Sequence, residues 1–424
     1  MTATLADVAA RARVSAATVS RVLNGNYPVA EATRARVLRA VDELDYVLNG
    51  PASSLAAATS DLVGILVNDI ADPFFGIMAG AAQSEIGESG AGSGSGQAGS
   101  GAGSGAGSGA GSGQMTGSGR AGASGRTGAS GRTGTSGRAG GEKLAVVCNT
   151  GGSPERELTY LTLLQRQRAA AVILTGGAVE DPAHQAAISA KLTKLADAGT
   201  RVVLCGRPPL TGGEAVVAAL AFDNRGGGRR LTEHLLALGH TRIGYVAGPA
   251  ERTTTRHRLE GHRDAMRAAG LIGYGTGRDT GDAGSKGSAE GAYDEDRLTV
   301  HGLYDRRSGY EATLELLRRE PEVTAVVAAN DTVALGACAA IRERGLRIPE
   351  DVSVAGFDDL PFSVDAVPAL TTVRLPLFEA GARAGRLAMG KETPPPGGIA
   401  TIGAELMVRG STAPPRMRTA NRGR

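Results

Sequence analysis

Residues 4–25 read TLADVAARARVSAATVSRVLNG, and their reading decides how the chain begins. Thr4 and Asp7 stand in the spacing of a capping box, a hydroxyl N-cap with a carboxylate three residues on. Leu5, Val8, Ala9 and Ala12 then recur at helical spacing. Arg13-Val14-Ser15 breaks the pattern, and Ser15 can cap a second helix over residues 16–23 that ends near Asn24-Gly25. Two short helices joined by about four residues make a helix-turn-helix. The second helix buries Val19 and Val22 and turns Ala16, Ala17, Ser20 and Arg21 outward. A third amphipathic helix, residues 31–44, places Val37, Leu38, Val41 and Leu44 on one face. On pattern alone, any small helical bundle would read this way.

Working outward, the composition sets bounds. The chain has 424 residues, room for two or three domains. Aromatic residues make up only 3% and Trp is absent, so a core must rest on Val, Leu, Ile and Ala. The net charge of +3 is too weak to argue a nucleic-acid partner, so that argument must come from a motif. Cys148, Cys205 and Cys338 each sit in an apolar run and no pair has metal-ligand spacing, which reads as buried reduced thiols in a cytoplasmic protein. The N-terminus has neither the basic nor the apolar segment of a signal peptide. No apolar run approaches the ~20 residues that span a bilayer. The expectation is a soluble intracellular protein without membrane association.

From Leu62 the pattern changes to short, continuous apolar runs: LVGILV (62–67), LAVVC (144–148), AVILT (171–175), RVVLC (201–205), RIGYVAG (242–248), TAVVAAN (324–330) and VSVAGFD (352–358). Such runs are strands buried on both faces, and the helical stretches between them imply parallel α/β sheets. The strands are too many for one comfortable sheet. Two subdomains with a ligand between them are expected.

The stretch GAGSGAGSGAGSG (101–113), inside a Gly/Ser/Ala tract over residues 87–141, looks like a domain border. Its flanks say otherwise. A strand and helix precede it and EKLAVVCNTGG, the next strand, follows. It is an insertion in one βαβ unit, tolerable because loop-closure entropy grows only logarithmically with length. Its second half spaces Arg120, Arg126, Arg132 and Arg138 six residues apart, as a solvated loop or a weak anion-attracting arm. A second polar insertion spans residues 273–296. Gly94-Ser95-Gly96-Gln97-Ala98-Gly99 formally matches a dinucleotide fingerprint, but without a strand before it or a helix after it the match is set aside. His234 and His240 flank a Leu-rich helical turn and read as helix-end packing. No nucleophile–base arrangement, metal cluster or cofactor motif is recognisable, so no catalysis, metal or cofactor is expected.

DVAARARVSAATVSRVLNG (7–25) followed by PVAEATRARVLRAVDELDYVLN (28–49) strongly resembles the DNA-binding headpiece of the lactose/galactose repressor (LacI/GalR) family. ADPFFGIMAGA, FDNRGGGRRLTEHLLALGHTRIGYVAGP, RLEGHRDAM, AANDTVALGACAAIRERGLRIPEDVSVAGFDDLPF, PALTTVRLP and ELMVRGST resemble its effector domain, in order. The resemblance implies an all-α helix-turn-helix headpiece (1–48), a hinge helix (49–60), and an α/β periplasmic-binding-protein-like effector and dimerisation domain of two Rossmann-like subdomains (61–411). A basic disordered tail (412–424) completes the chain. The chain should cross between subdomains near Phe222-Asp223, after Asp358 and near Val373.

The resemblance also distributes roles. Ala16, Ala17 and Arg21 fall at base-reading positions of the recognition helix, where Arg21 can bond bidentately to guanine O6 and N7. Thr4, Ser15, Thr18, Ser20, Asn24 and Thr33 match phosphate-contacting positions. Leu55 matches the leucine that wedges into the minor groove, though Ser53 and Ser54 depart from the Arg or Gln common there. Asp72, Phe74, Arg252, Thr254, Arg258, Tyr304, Asn330, Asp331 and Asp358 match cleft positions at the C-terminal ends of strands. A ring at Phe74 can lie on the apolar face of a sugar, and a carboxylate beside a guanidinium suits vicinal hydroxyls. The expected protein is a homodimeric repressor of a pseudo-palindromic operator in double-stranded DNA, controlled by a small-molecule effector, with a sugar as the leading class. A solute-binding protein and a sugar-modifying enzyme are the competing readings. The first would lack the headpiece, and the second would need an acid/base pair.

Overall fold

A computed structural model describes residues 5–24, 29–44, 60–87, 143–209, 216–272 and 295–416. Thr4, Leu55, nearly all of the proposed hinge and of both glycine-rich insertions, and the last residues of the basic tail lie outside the described residues.

The N-terminal unit has three helices, α1 (Leu5–Ala12), α2 (Ala16–Asn24) and α3 (Glu31–Glu43). Val8, Ala9, Ala12, Val19, Val37 and Ala40 form its small core, with Val14, Val22, Val41 and Leu44 packed at the edges. Arg13 takes a left-handed φ of 55°, and Val14 N–H bonds the Ala9 carbonyl, so α1 ends in a tight turn. Ser15 caps α2 as expected, its hydroxyl accepting from Thr18 N at 3.2 Å. Leu38 departs from the expected pattern. It is 44% exposed, and Ala40 takes its place in the core, because the α3 stripe that meets α1 runs through Val37, Ala40, Val41 and Leu44.

The first α/β unit comprises β1 (Leu62–Val67), α4 (Pro73–Gly87), β2 (Leu144–Asn149), α5 (Pro154–Arg166), β3 (Ala171–Thr175), α6 (Pro182–Asp197), β4 (Arg201–Cys205) and β5 (Ala218–Phe222). β1 pairs in parallel with both β2 and β3, so the chain from α4 to β2 is an interruption of one βαβ unit. The second unit comprises α7 (Asn224–Ala237), β6 (Ile243–Ala247), α8 (Thr253–Ala268), α9 (Glu295–Leu298), β7 (Thr299–His301), α10 (Arg306–Arg319), β8 (Ala325–Ala328), α11 (Asp331–Glu343) and β9 (Ser353–Ala355). The remaining elements are β10 (Thr372–Arg374), α12 (Leu377–Met389), β11 (Ile399–Ile402) and β12 (Glu405–Met407). The sheet orders are β11-β5-β4-β3-β1-β2 and β7-β6-β8-β9, both parallel, with a β10-β12 antiparallel pair between them.

Every strand expected from the apolar runs is present. β5, β7, β10, β11 and β12 were not anticipated. β5 is the Ala-rich AALAF, which lacks β-branched residues, and the others are short. The chain crosses between units at Phe222-Asp223, as expected, and again after Val373, where β10 leads into α12 on the first sheet. No crossing follows Asp358. Leu360, Ser363 and Thr371 remain tied to the second unit through Asp331 and Ala355. The third crossing runs instead from β11 to β12, which the sequence reading did not anticipate because β11 joins the first sheet beside β5.

Helices cap directly off the strand ends. Ser153, Asp181, Asp223, Asp305 and Asn330 each accept a backbone N–H of the first helical turn. The α7–α8 crossing is unusually close. A β-carbon on Gly261 would lie 2.0 Å from the Arg225 carbonyl oxygen, and one on Gly228 would lie 2.4 Å from that of Arg258. His234 and His240 pack at the end of this layer, on Thr412 and on Thr324 with the Ala413 carbonyl. All three cysteines are buried and reduced. Among the described residues, no helix is long and apolar enough to cross a membrane.

Candidate functional site

Parallel strands of both sheets end at a common cleft. It encloses about 330 Å³, within the range of small-molecule sites. One wall is aromatic. Phe74 meets Phe75 edge-on at 5.0 Å and Phe222 at 6.2 Å. Opposite, Tyr304 is bonded through its hydroxyl to Thr255 Oγ1 at 2.5 Å, and its ring covers Gly248 at the end of β6. A β-carbon at Gly248 would come within 2.5 Å of that ring.

Arg258 is the organising side chain of the floor. Its Nη2 donates to Asp358 Oδ1 at 2.7 Å, Nε to Asn224 Oδ1 at 2.9 Å and Nη1 to the Ala329 carbonyl at 2.7 Å. The guanidinium also lies 3.8 Å over the Phe357 ring. Both partners of the ion pair are buried. Burial raises the Asp358 carboxyl above its ordinary range, and the guanidinium only partly opposes it. Asp72 is pushed up to about 6, first by burial and then by the nearby Asp358 and Asp69 carboxylates.

The two lips of the cleft touch. Thr253 N donates to the Ala178 carbonyl and Ala178 N to Thr253 Oγ1, both at 3.0 Å. Arg252, in the second unit, donates to the carbonyls of Gly152 and Gly177 in the first. Arg256 pairs with Glu180 at 2.7 Å. From below, Arg207 donates to the Gly176 carbonyl at 3.2 Å and pairs with buried Glu157 at 2.8 Å. His184 Nε2 lies 3.2 Å from the other Glu157 oxygen and must be the donor there. Burial alone would raise the Glu157 carboxyl, but Arg207 and His184 override it and hold it at about 2. A folded-state value below the ordinary 4.5 contributes stability above pH 4.5 that is lost as pH falls through 2. Glu157→Gln should therefore flatten that acid limb of Tm against pH. It should also cost about 3 kcal/mol at neutral pH by leaving Arg207 unpaired. An acid limb unchanged in the variant would place the titration elsewhere.

Of the nine residues assigned to the cleft from sequence, Asp72, Phe74, Arg252, Thr254, Arg258, Tyr304, Asn330 and Asp358 line it. Asp331 does not. It is fully buried beneath α11, accepting from Leu360 N, Ser363 Oγ and Thr372 Oγ1 at 2.6–2.7 Å. Burial and Asp358 push it up to about 7. Its bonds to Leu360 and Ser363 hold the loop between β9 and β10. Asn330 lines the cleft while its Oδ1 caps α11. Sequence reasoning missed Phe75, Phe222, Asn224, Glu251, Asp305 and the Gly151-Gly152 and Gly176-Gly177 turns. A Gly-Gly pair at or one residue past a strand end, twice, was the available signal for those turns.

In the headpiece, Ala16, Ala17 and Arg21 are exposed along α2, and Thr18 and Ser20 are half-buried beside them. Ser15 spends its hydroxyl on the cap and on Thr18 Oγ1 at 2.9 Å. Thr33 is half-buried on the first turn of α3, and Asn24 ends α2.

Residues 4–49 match the model for bacterial regulatory proteins of the lacI family. Residues 141–277 match that for periplasmic binding proteins and the sugar binding domain of the LacI family, and residues 232–412 match a periplasmic binding protein-like domain. The HTH-type transcriptional regulator CelR of Thermobifida fusca is 32% identical over 398 residues, 92% of each chain. A solved transcriptional regulator CelR–cellobiose complex is 28% identical and aligns with a TM-score of 0.56 over 96% of this chain and 99% of that one. The lac repressor dimer bound to operator and the anti-inducer ONPF shares the fold, with a TM-score of 0.65 and 24% identity over 97% of this chain and 100% of that one. With headpiece, cleft and relatives in agreement, the chain belongs to the LacI family of HTH-type transcriptional regulators.

Proposed function

We propose that the protein is a cytoplasmic, homodimeric repressor that acts by binding and not by catalysis. Each protomer would set α2 in a major-groove half-site of a pseudo-palindromic operator. Arg21 would read a guanine. Ala16 and Ala17 would permit close approach, and Thr4, Ser15, Thr18, Ser20, Asn24 and Thr33 would fix the register on phosphates. Leu55 would wedge into the minor groove. The effector would sit between the subdomains against Phe74 and Tyr304, with Asp72, Arg252, Thr254, Arg258, Asn330 and Asp358 addressing its hydroxyls. Units 1–48, 49–60 and 61–411 would serve as headpiece, hinge and effector domain.

The observation that carries this reading is the cleft itself, with an aromatic wall on one subdomain, paired polar groups on the other and lips joined by hydrogen bonds. A ligand bridging both walls would favour the joined arrangement over an open one, and a ligand shifts such an equilibrium only by its differential affinity for the two states. The known cellobiose complex of a relative makes cellobiose the first sugar to test.

Arg21→Ala tests the DNA half. Specific binding to promoter DNA of the protein's own gene should weaken by about 1–3 kcal/mol, with discrimination lost at one guanine. An equal loss on all sequences would make Arg21 a phosphate contact and contradict base reading.

A further inference from the structure

Five carboxylates line the cleft, those of Asp69, Asp72, Glu251, Asp305 and Asp358, against two guanidiniums, those of Arg252 and Arg258. The two cations are not equivalent to open anion receptors. Arg258 is buried and already engages Asp358, Asn224 and the Ala329 carbonyl. Arg252 spends its donors on the carbonyls of Gly152 and Gly177 at the closed lip.

Four of the five carboxylates are held through one oxygen each in the bonds that position them. Asp69 accepts from Ala71 N, Asp72 from Phe74 N, Asp305 from Ser308 N and Asp358 from Arg258, each through Oδ1. Their second oxygens suit hydroxyl donors. They oppose a second anion, Asp358 and Asp72 from buried and half-buried positions where salt screens little, and Asp69, Glu251 and Asp305 from the exposed rim, where the repulsion is weaker and falls with salt. Of the helix N-termini that end at the cleft, α8 has no side-chain cap, only its Thr253 N being taken by the Ala178 carbonyl, whereas two others are closed to an anion. The first turns of α10 and α11 are already capped by Asp305 and Asn330.

We propose that this cleft takes an uncharged, hydroxyl-rich ligand and rejects phosphorylated and carboxylated sugars. The inference rests on the sugar-effector reading above and narrows it by charge. The aromatic wall contributes the apolar contact that a neutral pyranose face needs, and the carboxylates set the sign of what is refused.

Matched probes test it on the full-length protein by isothermal titration calorimetry: glucose with glucose 6-phosphate and glucuronate, galactose with galactose 6-phosphate and galacturonate, and cellobiose with cellobionate. Whichever neutral sugar binds should do so at least tenfold more tightly than its anionic partners. Glu251→Lys, at the exposed edge of the cleft, should narrow that ratio at least threefold at low ionic strength. An anionic partner that binds as well as or better than its neutral form would overturn the charge inference while leaving the sugar reading intact. A complete absence of binding across all three sets would remove the sugar reading and this inference with it. An unchanged ratio in Glu251→Lys would show that the discrimination comes from shape and not from charge.

Discussion

Arg258→Met should lower the stability of the protein by about 3–5 kcal/mol, because it strands the Asp358 carboxylate in a buried site. In a chain of this size that corresponds to a fall in Tm of roughly 10 °C. The substitution keeps much of the apolar volume over Phe357, so lost packing is not the main term. It removes the hydrogen bonds that join α8 to Asn224 on α7, to the end of β8 and to the loop after β9. Those elements form the floor of the cleft, so ligand response should be lost together with stability. The double variant Arg258→Met/Asp358→Asn separates charge from geometry. It should regain part of the loss, because the uncompensated anion is gone. A single variant that costs less than about 1 kcal/mol would mean that Asp358 is held protonated and that the pair is not ionic.

Gly261→Ala is the second large effect. The added methyl would overlap the Arg225 carbonyl, a backbone atom with no rotamer to escape into. Helices α7 and α8 must separate, and overpacking of this kind costs about 1–3 kcal/mol. The displacement would propagate to Arg258, which lies three residues before Gly261 and whose own carbonyl faces Gly228. The variant should therefore show reduced Tm and weakened effector binding together. Gly345→Ala makes a suitable contrast. Its added carbon meets nothing within 4 Å, and only its positive φ of 74° resists the change. It should lose some stability and leave effector binding unaltered. Equal effects on effector binding from both variants would show that helix spacing is not what Gly261 protects.

The sheets were legible because strands buried on both faces leave continuous apolar runs, and eight cleft residues were legible because the motifs that carry them resemble the family's effector domain, at strand ends where ligands meet such folds. Asp331 was assigned wrongly to the cleft because neighbouring residues at a strand end diverge once a helix begins. Asn330 faces the cavity and caps α11, while Asp331 turns beneath it to hold the loop between β9 and β10. Nothing in the pair Asn330-Asp331 itself announces that division. The Glu157–His184–Arg207 group escaped notice for a different reason. Its members come from α5, α6 and the end of β4, and only the packed sheet brings them together. The third crossing was misplaced because β11 is a short edge strand with an alternating pattern of half-buried and exposed residues, unlike the runs that marked the others. Leu38 shows the limit of helical periodicity, since a stripe drawn one position aside exposes a leucine and buries an alanine.

The central claim is that one chain couples sequence-specific DNA binding to occupancy of the cleft. Fluorescence anisotropy of the full-length protein on duplex promoter DNA of its own gene, with and without the sugar that calorimetry selects, measures that coupling directly. Promoter binding should be at least ~10³-fold tighter than binding to scrambled duplex of equal length. The sugar should change this affinity by about 5–150-fold. Equal affinity for promoter and scrambled DNA, or a bound sugar that leaves operator affinity unchanged, would contradict it.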